Sequence, residues 1–313
     1  MKYLYAFDIG GTSIKTALFS KMGKLIDETS YPTPHTSSND FFESIAYFIK
    51  KDIVDKNLKL KNFLGISLCF PGPIKNNIVL KTPNLCIKDN TNVEVELQKH
   101  FSYRIKVFSA NDATLAALGE FGVVGLEYNS LILYTLGTGI GGGIIVDGNL
   151  IEGTNGTAGE LGHIHTSDID IKCSCGKSGC TESICGSNAF VRLANFYLRR
   201  EHERPSLLQD YEVLNIKDIF DCAKKEDPLS LKLVNLYAKN IALNMVAASL
   251  MLEPNAFFIG GGVSEAGEFL LNRIIYYFKK NARYETGKIP IHIASLGNSA
   301  GIYGAYLYFV TNL

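Results

Sequence analysis

Three cysteines and one histidine lie within eighteen residues and form a compact set of potential metal ligands. Thiolates and imidazole nitrogens are the usual ligands of tetrahedral structural zinc, and four protein ligands leave no open position for an activated water. Gly176 and Gly179 allow the tight turn that returns the last thiol to the others. The predicted zinc ligands are His163, Cys173, Cys175 and Cys180.

Two neighbouring side chains leave this assignment partly open. His165 is a rival for the histidine position, and Cys185 is a spare thiol that suits a hydrophobic core. Chance clustering or a redox function of the thiols is the alternative to metal binding. A bound zinc ion would fix a loop that carries Glu160, His163 and Glu182, whose polar groups suit the hydroxyls of a sugar.

A carboxylate at a predicted strand-to-helix junction is the candidate for acid–base chemistry. Asp112 follows a predicted strand over 105–108 and precedes a predicted helix over 113–121. Such an aspartate either caps the helix or acts as a general base. Phosphoryl transfer to an alcohol needs a carboxylate within hydrogen-bond reach of the hydroxyl. Asn111 beside it offers an amide donor and acceptor to a neighbouring hydroxyl.

Glycine-rich loops follow apolar segments in both halves of the chain. Asp8-Ile9-Gly10-Gly11-Thr12 lies between two predicted strands, and Gly137-Thr138-Gly139 repeats the arrangement. Glycine lets the backbone approach an oxyanion closely, although a plain hairpin is the alternative for either loop alone. The chain contains no G-x-x-x-x-G-K-[ST] sequence, which excludes a P-loop enzyme. A third cluster, Gly260-Gly261-Gly262, is a candidate for packing against a nucleoside base.

The elements that position these groups are predicted to form two α/β units, each of which opens with a strand, a glycine turn and a second strand. This repetition suggests a structural duplication, with segment 139–143 as a candidate hinge. The predicted strands are 3–8, 13–19, 25–31, 63–70, 105–108, 131–135, 143–146, 149–152, 257–259 and 290–294. The predicted helices are 41–54, 93–101, 113–121, 187–199, 216–225, 229–252, 264–280 and 301–311.

Composition indicates a globular cytoplasmic protein. Hydrophobic residues make up 46% and charged residues 20%, and 31 basic side chains balance 31 acidic ones, so no overall field attracts nucleic acid or an anionic membrane. The apolar stretch 229–252 is interrupted by five polar residues, which argues against a membrane span. The N-terminus lacks the features of a signal peptide, and the seven cysteines argue against a secreted disulfide framework.

Together these motifs resemble the ROK family (repressor, open reading frame, kinase) of sugar kinases and related repressors, over essentially the whole chain. The most specific part is Cys-x-Cys-Gly-x-x-Gly-Cys-x-Glu at 173–182, which follows Gly-Glu-x-Gly-His at 159–163. The other matching segments are 8–12, 82–85, 111–113, 116–120, 136–143, 152–153, 156, 158 and 260–263.

The resemblance implies an α/β fold like that of hexokinase and actin (ribonuclease H-like), with two domains, an interdomain cleft and a structural zinc loop. The small domain is expected at 1–112, joined by a closing helix at about 300–313, and the large domain at 113–299. ATP with Mg²⁺ is the implied phosphoryl donor, a sugar is the acceptor and Zn²⁺ is structural. A homodimer or homotetramer is the implied assembly.

The resemblance also assigns roles to individual residues, with Asp112 as the catalytic base. The implied sugar-binding positions are Asn84, Asn111, Asp112, Glu160, His163 and Glu182. The implied phosphate, nucleotide and magnesium contacts are Asp8, Gly10, Gly11, Thr12, Lys15, Gly137, Thr138, Gly139, Gly261 and Gly262. Lys15 is alternatively an exposed strand lysine. Asn298 departs from the family, which often carries an acidic residue in this late loop.

Among the functions open to such a protein, a sugar kinase is favoured. ROK repressors carry a helix-turn-helix before the Asp8 loop, whereas seven residues precede Asp8 here. An actin-like or chaperone ATPase has no use for Asn111-Asp112 and a zinc-braced sugar loop. We predict ATP-dependent phosphorylation of the 6-hydroxyl of a hexose, with glucose first. An N-acetylmannosamine or other N-acetylhexosamine kinase is the alternative, and a non-catalytic sugar-sensing ROK protein is a third possibility.

Overall fold

The fold consists of two large mixed β-sheets and one small three-stranded antiparallel sheet with flanking helices, in a computed structural model that describes residues 1–82, 84–200 and 205–313. The strands are β1 (Tyr3–Ile9), β2 (Ser13–Ser20), β3 (Leu25–Pro32), β4 (Phe63–Phe70), β5 (Ile74–Lys75), β6 (Ile78–Val79), β7 (Thr91–Asn92), β8 (Val107–Asn111), β9 (Leu131–Leu136), β10 (Ile140–Val146), β11 (Asn149–Leu150), β12 (Ala256–Gly260) and β13 (Ile291–Ile293). The α-helices are α1 (Ser38–Asp55), α2 (Val93–Gln98), α3 (Asp112–Val124), α4 (Thr181–Cys185), α5 (Ser187–Arg200), α6 (Ile216–Lys224), α7 (Pro228–Leu252), α8 (Glu268–Asn281) and α9 (Ala300–Thr311).

The two large sheets share one topology. Their strand orders are β3-β2-β1-β4-β8 and β11-β10-β9-β12-β13. In each sheet the first three strands of that order pair antiparallel and the last three pair parallel. The predicted structural duplication is therefore confirmed. The first sheet and one face of the second, including Leu133 and Phe258, share one hydrophobic core, and the other face of the second sheet lies in a second core. Strands β1 and β12 are almost wholly buried.

The candidate loops gather because parallel strands of a sheet end at the same edge. Strands β1 and β4 lead into the loops that begin at Gly10 and Pro71, and β8 leads directly into α3 at Asp112. Strands β9 and β12 lead into the loops at Gly137 and Gly261. Residues from these loops of both sheets line common cavities, which places a cleft between the two halves.

Helix α3 lies between the sheets and packs tightly against α9 and β10. An added Cβ on Gly119 would collide with the Ala300 carbonyl, and one on Gly143 would collide with the Ala117 side chain. Glycine at these positions therefore permits the close packing. Helix α9 also packs against β1 and β4 of the N-terminal sheet. A domain boundary at 112/113 stays a prediction.

Some elements differ from their predicted bounds. The helix predicted over 264–280 is divided, because Gly267 adopts a left-handed φ of 67° between the 3₁₀ turn Gly262–Ala266 and α8. The strand predicted over 105–108 runs instead over Val107–Asn111, with its polar end at the cleft. Within the described part of the chain, no helix combines the length and apolar character needed to cross a membrane.

Candidate active site

Two adjoining cavities occupy the cleft, with volumes of about 340 and 240 Å³. They share the wall formed by Asp112, Ala113, Thr135 and Gly261. The predicted site residues that line the larger cavity are Asn111, Asp112, Gly137, Thr138, Gly139, Glu160, Glu182 and Gly261. Those that line the smaller cavity are Asp8, Lys15, Asp112 and Gly261. Two ligands bound in these cavities would meet at Asp112.

Asp112 occupies the first turn of α3 but does not cap it. The N-cap is Asn111, whose Oδ1 accepts a hydrogen bond from the Thr114 amide at 3.0 Å. The Asn111 side-chain amide donates to the Gly72 carbonyl at 3.1 Å, which joins this turn to the loop after β4. The alternative that Asp112 serves as the helix cap is therefore wrong, and its carboxylate faces the cleft.

The surroundings of Asp112 stabilise the protonated, neutral form of its carboxyl group and so raise its pKa. Burial raises its pKa to about 7, even though the Ala113 amide donates to Oδ1 at 2.7 Å and opposes the shift. The charges of Asp8 and Glu160 raise the pKa further. A carboxyl with this pKa titrates near neutral pH, which is the range in which a general base works best.

The smaller cavity brings together one acidic and one basic side chain, Asp8 and Lys15. Burial raises the pKa of Asp8, and the neighbouring Lys15 ammonium partly offsets this. The Lys15 ammonium donates to the Asn298 carbonyl at 3.0 Å and forms part of the cavity wall. Lys15, a half-exposed residue of β2, therefore lies at the wall of the cleft, and a contact of its ammonium with phosphate stays a prediction.

The two glycine loops close in similar ways. The Gly10 amide donates to the Ser13 carbonyl at 3.0 Å, and the Gly137 amide donates to the Gly139 carbonyl at 3.0 Å. Each of these amides is therefore used within its own turn. Thr12 and Thr138 are exposed, so their hydroxyls remain accessible to a ligand.

Six of the predicted sugar- and nucleotide-binding residues line neither of these two cavities: Asn84, Gly10, Gly11, Thr12, His163 and Gly262. The Asn84 Cβ lies 3.6 Å from the point where a Cβ on Gly11 would stand, so the segment that carries Asn84 borders the first glycine loop. Pro83 of the same motif lies outside the described residues.

Gly261 and Gly262 form the turn that follows β12. Gly261 has a φ of 81°, and an added Cβ there would collide with the Leu136 backbone, so glycine allows this turn to lie against the end of β9. Gly262 borders a third cavity, of about 140 Å³, together with Phe220 and Lys224. Packing of this turn against a nucleoside base stays a prediction.

The predicted metal ligands form one cluster. His163 Nδ1 lies 3.6 Å from Cys173 Sγ, Cys175 Sγ lies 3.7 Å from Cys180 Sγ, and the four ligand atoms all lie within 4.8 Å of one another. Sulfur atoms bound tetrahedrally at about 2.3 Å from one zinc ion stand about 3.8 Å apart. The donor set and its spacing therefore fit a closed zinc site.

His165, the alternative to His163 as a metal ligand, lies outside this cluster. His165 Nδ1 lies 3.3 Å from the Ser178 carbonyl, and His165 Nε2 lies 3.8 Å from Asp168 Oδ1. Cys185 is fully buried, and its thiol donates to the Tyr237 carbonyl at 3.6 Å. The interpretation of Cys185 as a core thiol is confirmed, and that of His165 as a ligand is wrong.

Polar side chains connect the cysteine loop to the larger cavity. His163 directs Nδ1 to the cluster and places Nε2 at 3.8 Å from Glu160 Oε2. Glu182 accepts hydrogen bonds from the Ser174 hydroxyl at 3.0 Å and from the Ile140 amide at 2.9 Å. Glu182 therefore ties the cysteine loop to the second glycine loop while it lines the cavity.

The comparisons with known proteins agree with this geometry. A model of the ROK family matches residues 4–311. The chain belongs to the ROK family. The glucokinase of Halalkalibacterium halodurans is 33% identical to it, over 97% of this chain and 93% of the relative. The N-acetyl-D-glucosamine kinase of Histophilus somni is 27% identical, over 98% of this chain and 99% of the relative.

This ROK protein also resembles solved structures along its length. The crystal structure of a ROK family glucokinase from Streptomyces griseus in complex with glucose and AMPPNP matches it with a TM-score of 0.76 and 26% identity, over 98% of each chain. The ROK hexokinase from Thermus thermophilus matches it with a TM-score of 0.82 and 25% identity, over 99% of each chain. The predicted actin/hexokinase-like fold is confirmed.

Some residues of the ROK cleft were not predicted from the sequence. Thr135 lines both cavities, and Ala300 and Gly301 at the start of α9 line the smaller one. Thr135 interrupts the otherwise apolar run of β9, and this interruption could have indicated a position that faces the cleft. Ala300 and Gly301 carry no chemical signal, because only their backbone and small size matter.

Proposed function

We propose that this ROK protein is a sugar kinase that transfers the γ-phosphoryl group of ATP to the 6-hydroxyl of a hexose, with glucose as the first candidate. One observation carries the proposal: in the described part of the chain, Asp112 is the one carboxylate that lines both cavities. Its pKa of about 7 suits a general base between an alcohol and a phosphoryl donor. The glucokinase names of two of these relatives support glucose.

The larger cavity suits a sugar. Asn111, Glu160 and Glu182 present amide and carboxylate groups to it, and such groups hydrogen-bond to hydroxyls. The sugar would lie with its 6-hydroxyl toward Asp112. Asn84 and His163 would complete the polar surroundings when the cleft closes over the sugar.

The smaller cavity suits the phosphate groups of the donor. The Lys15 ammonium in this cavity would balance phosphate charge. The exposed hydroxyls of Thr138, which lines the larger cavity, and of Thr12, which lines neither, would donate hydrogen bonds to phosphate oxygens when the cleft closes. Mg²⁺ favours carboxylate oxygens together with substrate phosphates, which fits the half-buried Asp8 carboxylate. The bound Mg²⁺ would supply neutralisation of phosphate charge.

The proposed reaction is a direct displacement. The ionised Asp112 carboxylate accepts the proton of the sugar 6-hydroxyl while that oxygen forms a bond to the γ-phosphorus. The bond from the γ-phosphorus to the bridging oxygen breaks, which releases ADP and a sugar 6-phosphate. Asp112 then returns its proton to solvent. The four-ligand cluster would hold a structural zinc ion that takes no part in these steps.

A coupled ADP-release assay tests this proposal. With MgATP and a panel of hexoses and N-acetylhexosamines at matched concentrations, glucose is expected to give the highest kcat/KM. Preference for N-acetylglucosamine or N-acetylmannosamine would keep the chemistry and change the substrate, an alternative that the Histophilus somni relative supports. No turnover across the panel by folded, zinc-loaded protein would contradict the kinase and favour the non-catalytic sugar sensor.

The pH dependence of the reaction follows from the pKa of Asp112. Because the base must be ionised and burial raises its pKa to about 7, the neutral form predominates below that pH. We expect kcat/KM for the sugar to fall about tenfold per pH unit below about 7 and to level off above it. Steady-state rates between pH 5.5 and 9 measure this. A flat profile between pH 6 and 8 would contradict the assignment.

A further inference from the structure

A second buried carboxylate of α3 has no part in the chemistry proposed above. Glu120 is fully buried, yet burial of an ionised carboxylate is unfavourable unless hydrogen bonds replace its water. Its Oε2 accepts from the Ser295 amide and the Ser295 hydroxyl, each at 3.0 Å. Its Oε1 accepts from the Leu296 amide at 2.6 Å. All three donors belong to one short segment.

That segment forms a wall of the smaller cavity. Residues 294–299 connect β13 to α9, and Ala294, Gly297 and Asn298 line the cavity on either side of the two residues that Glu120 holds. The Asn298 carbonyl also accepts the hydrogen bond from the Lys15 ammonium. Displacement of Ser295 and Leu296 would therefore move both the wall and the acceptor of Lys15.

Helix geometry links this segment to the proposed base. Residues four apart in an α-helix lie on one face, so Asp112, Ala116 and Glu120 form a row along α3. Asp112 and Ala116 line the smaller cavity, and Glu120 continues the row to the segment behind it. One helix therefore fixes the base at its first turn and the cavity wall two turns later.

We infer that Glu120 is a positioning residue for the nucleotide: by fixing the 294–299 segment, it sets the affinity of the smaller cavity for the phosphoryl donor and leaves sugar binding unchanged. This inference rests on the proposed function. A carboxylate suits the position because it offers acceptors only, and it faces three donors.

Glu120→Gln tests the inference with little change in shape. One carboxylate oxygen becomes an NH₂ group that faces a backbone N–H, so at least one hydrogen bond to a charged acceptor is lost. We expect the KM for MgATP to rise about tenfold or more, with the Kd for the sugar within about twofold of the wild-type value. Kinetics give the KM, and calorimetry without nucleotide gives the sugar Kd. Ser295→Ala removes only the hydroxyl donor, so a smaller rise in the same KM is expected.

Asp227→Asn is the matched control. Asp227 is also buried and accepts hydrogen bonds from Ser206 and from Ser230 at the start of α7, but it lines neither cavity. We expect this variant to lower Tm without a change in the KM for MgATP.

Three outcomes are decisive. If Glu120→Gln shows the pattern of the control, with a lower Tm and an unchanged KM for MgATP, Glu120 is structural and the inference is overturned. If Glu120→Gln does not fold, an unchanged KM in Ser295→Ala overturns it as well. If the wild-type protein neither turns over MgATP nor binds Mg·AMPPNP, the proposed function fails and the inference fails with it.

Discussion

Asp112→Asn is expected to lower kcat about 10³-fold while the protein still binds its sugar. The amide has nearly the shape of the carboxylate but does not accept a proton at neutral pH, so the 6-hydroxyl would lose its base. The coupled assay measures kcat, and calorimetric titration of the sugar without nucleotide measures Kd. We expect the Kd to stay within about threefold of the wild-type value, because Asn111, Glu160 and Glu182 remain in the cavity.

The structure makes this substitution a clean test of the base. An asparagine can still accept the hydrogen bond from the Ala113 amide, and the cap of α3 is Asn111, so the helix start is preserved. The substitution also removes a buried negative charge whose ionisation Asp8 and Glu160 oppose. We therefore expect Tm to be unchanged or slightly higher, which separates loss of catalysis from loss of folding.

Asp168→Asn serves as the control, since the Asp168 side chain is fully exposed and lines neither cavity. It should keep the wild-type kcat and the wild-type pH profile. A near-normal kcat in Asp112→Asn would remove Asp112 from the role of base. A large loss of sugar affinity with retained kcat would instead make Asp112 a sugar-binding residue.

The parts of the site that the sequence predicted are those with strong local signals. Strands β1 and β9 are largely apolar runs that are followed directly by glycine, so both loops and the repetition of a strand, a glycine turn and a second strand could be predicted. The order of strands within each sheet was not predicted. The spacing of His163 and the three cysteines was sufficient for the metal cluster, because its ligands lie on one short loop.

The parts that were not predictable depend on contacts between distant segments. The bonds between Glu120 and residues 295–296 join positions about 175 residues apart, and no local pattern indicates such a pair. Strands β5, β6 and β7 have two residues each, which is too short to show an alternation. The sequence left Asp112 open as a cap of α3 or a general base, since aspartate and asparagine have similar cap preferences, and the structure places the cap at Asn111.

Glu182 is predicted from the sequence only as a sugar ligand, but it also makes contacts between distant segments that no local pattern indicates. Its carboxylate bonds to Ser174 beside the metal cluster and to the Ile140 amide beside the second glycine loop. The cysteine loop is thereby coupled to the wall of the larger cavity. Loss of the metal should consequently affect sugar binding as well as stability.

Cys175→Ser is the sharpest test of this coupling. Cys173 and Cys180 are buried, whereas Cys175 is exposed, so its replacement by serine removes a ligand without leaving a hole in the core. We expect the zinc content, measured by plasma mass spectrometry, to fall from about one ion per chain to near zero, since removal of one of four ligands strongly weakens such a site. We also expect Tm to fall by about 5 °C. The sugar Kd should rise about tenfold as Glu182 loses its fixed position.

Cys86→Ser is the matched control, because the Cys86 thiol lies outside the cluster and donates to the Pro34 and Ser37 carbonyls, as a serine hydroxyl can. This variant should keep its zinc, its Tm and its sugar Kd. If Cys175→Ser keeps one zinc ion per chain, the four-ligand assignment is wrong. If zinc is lost while the sugar Kd stays unchanged, the metal supports only its own loop, and the path from Ser174 through Glu182 to Ile140 does not set the shape of the cavity.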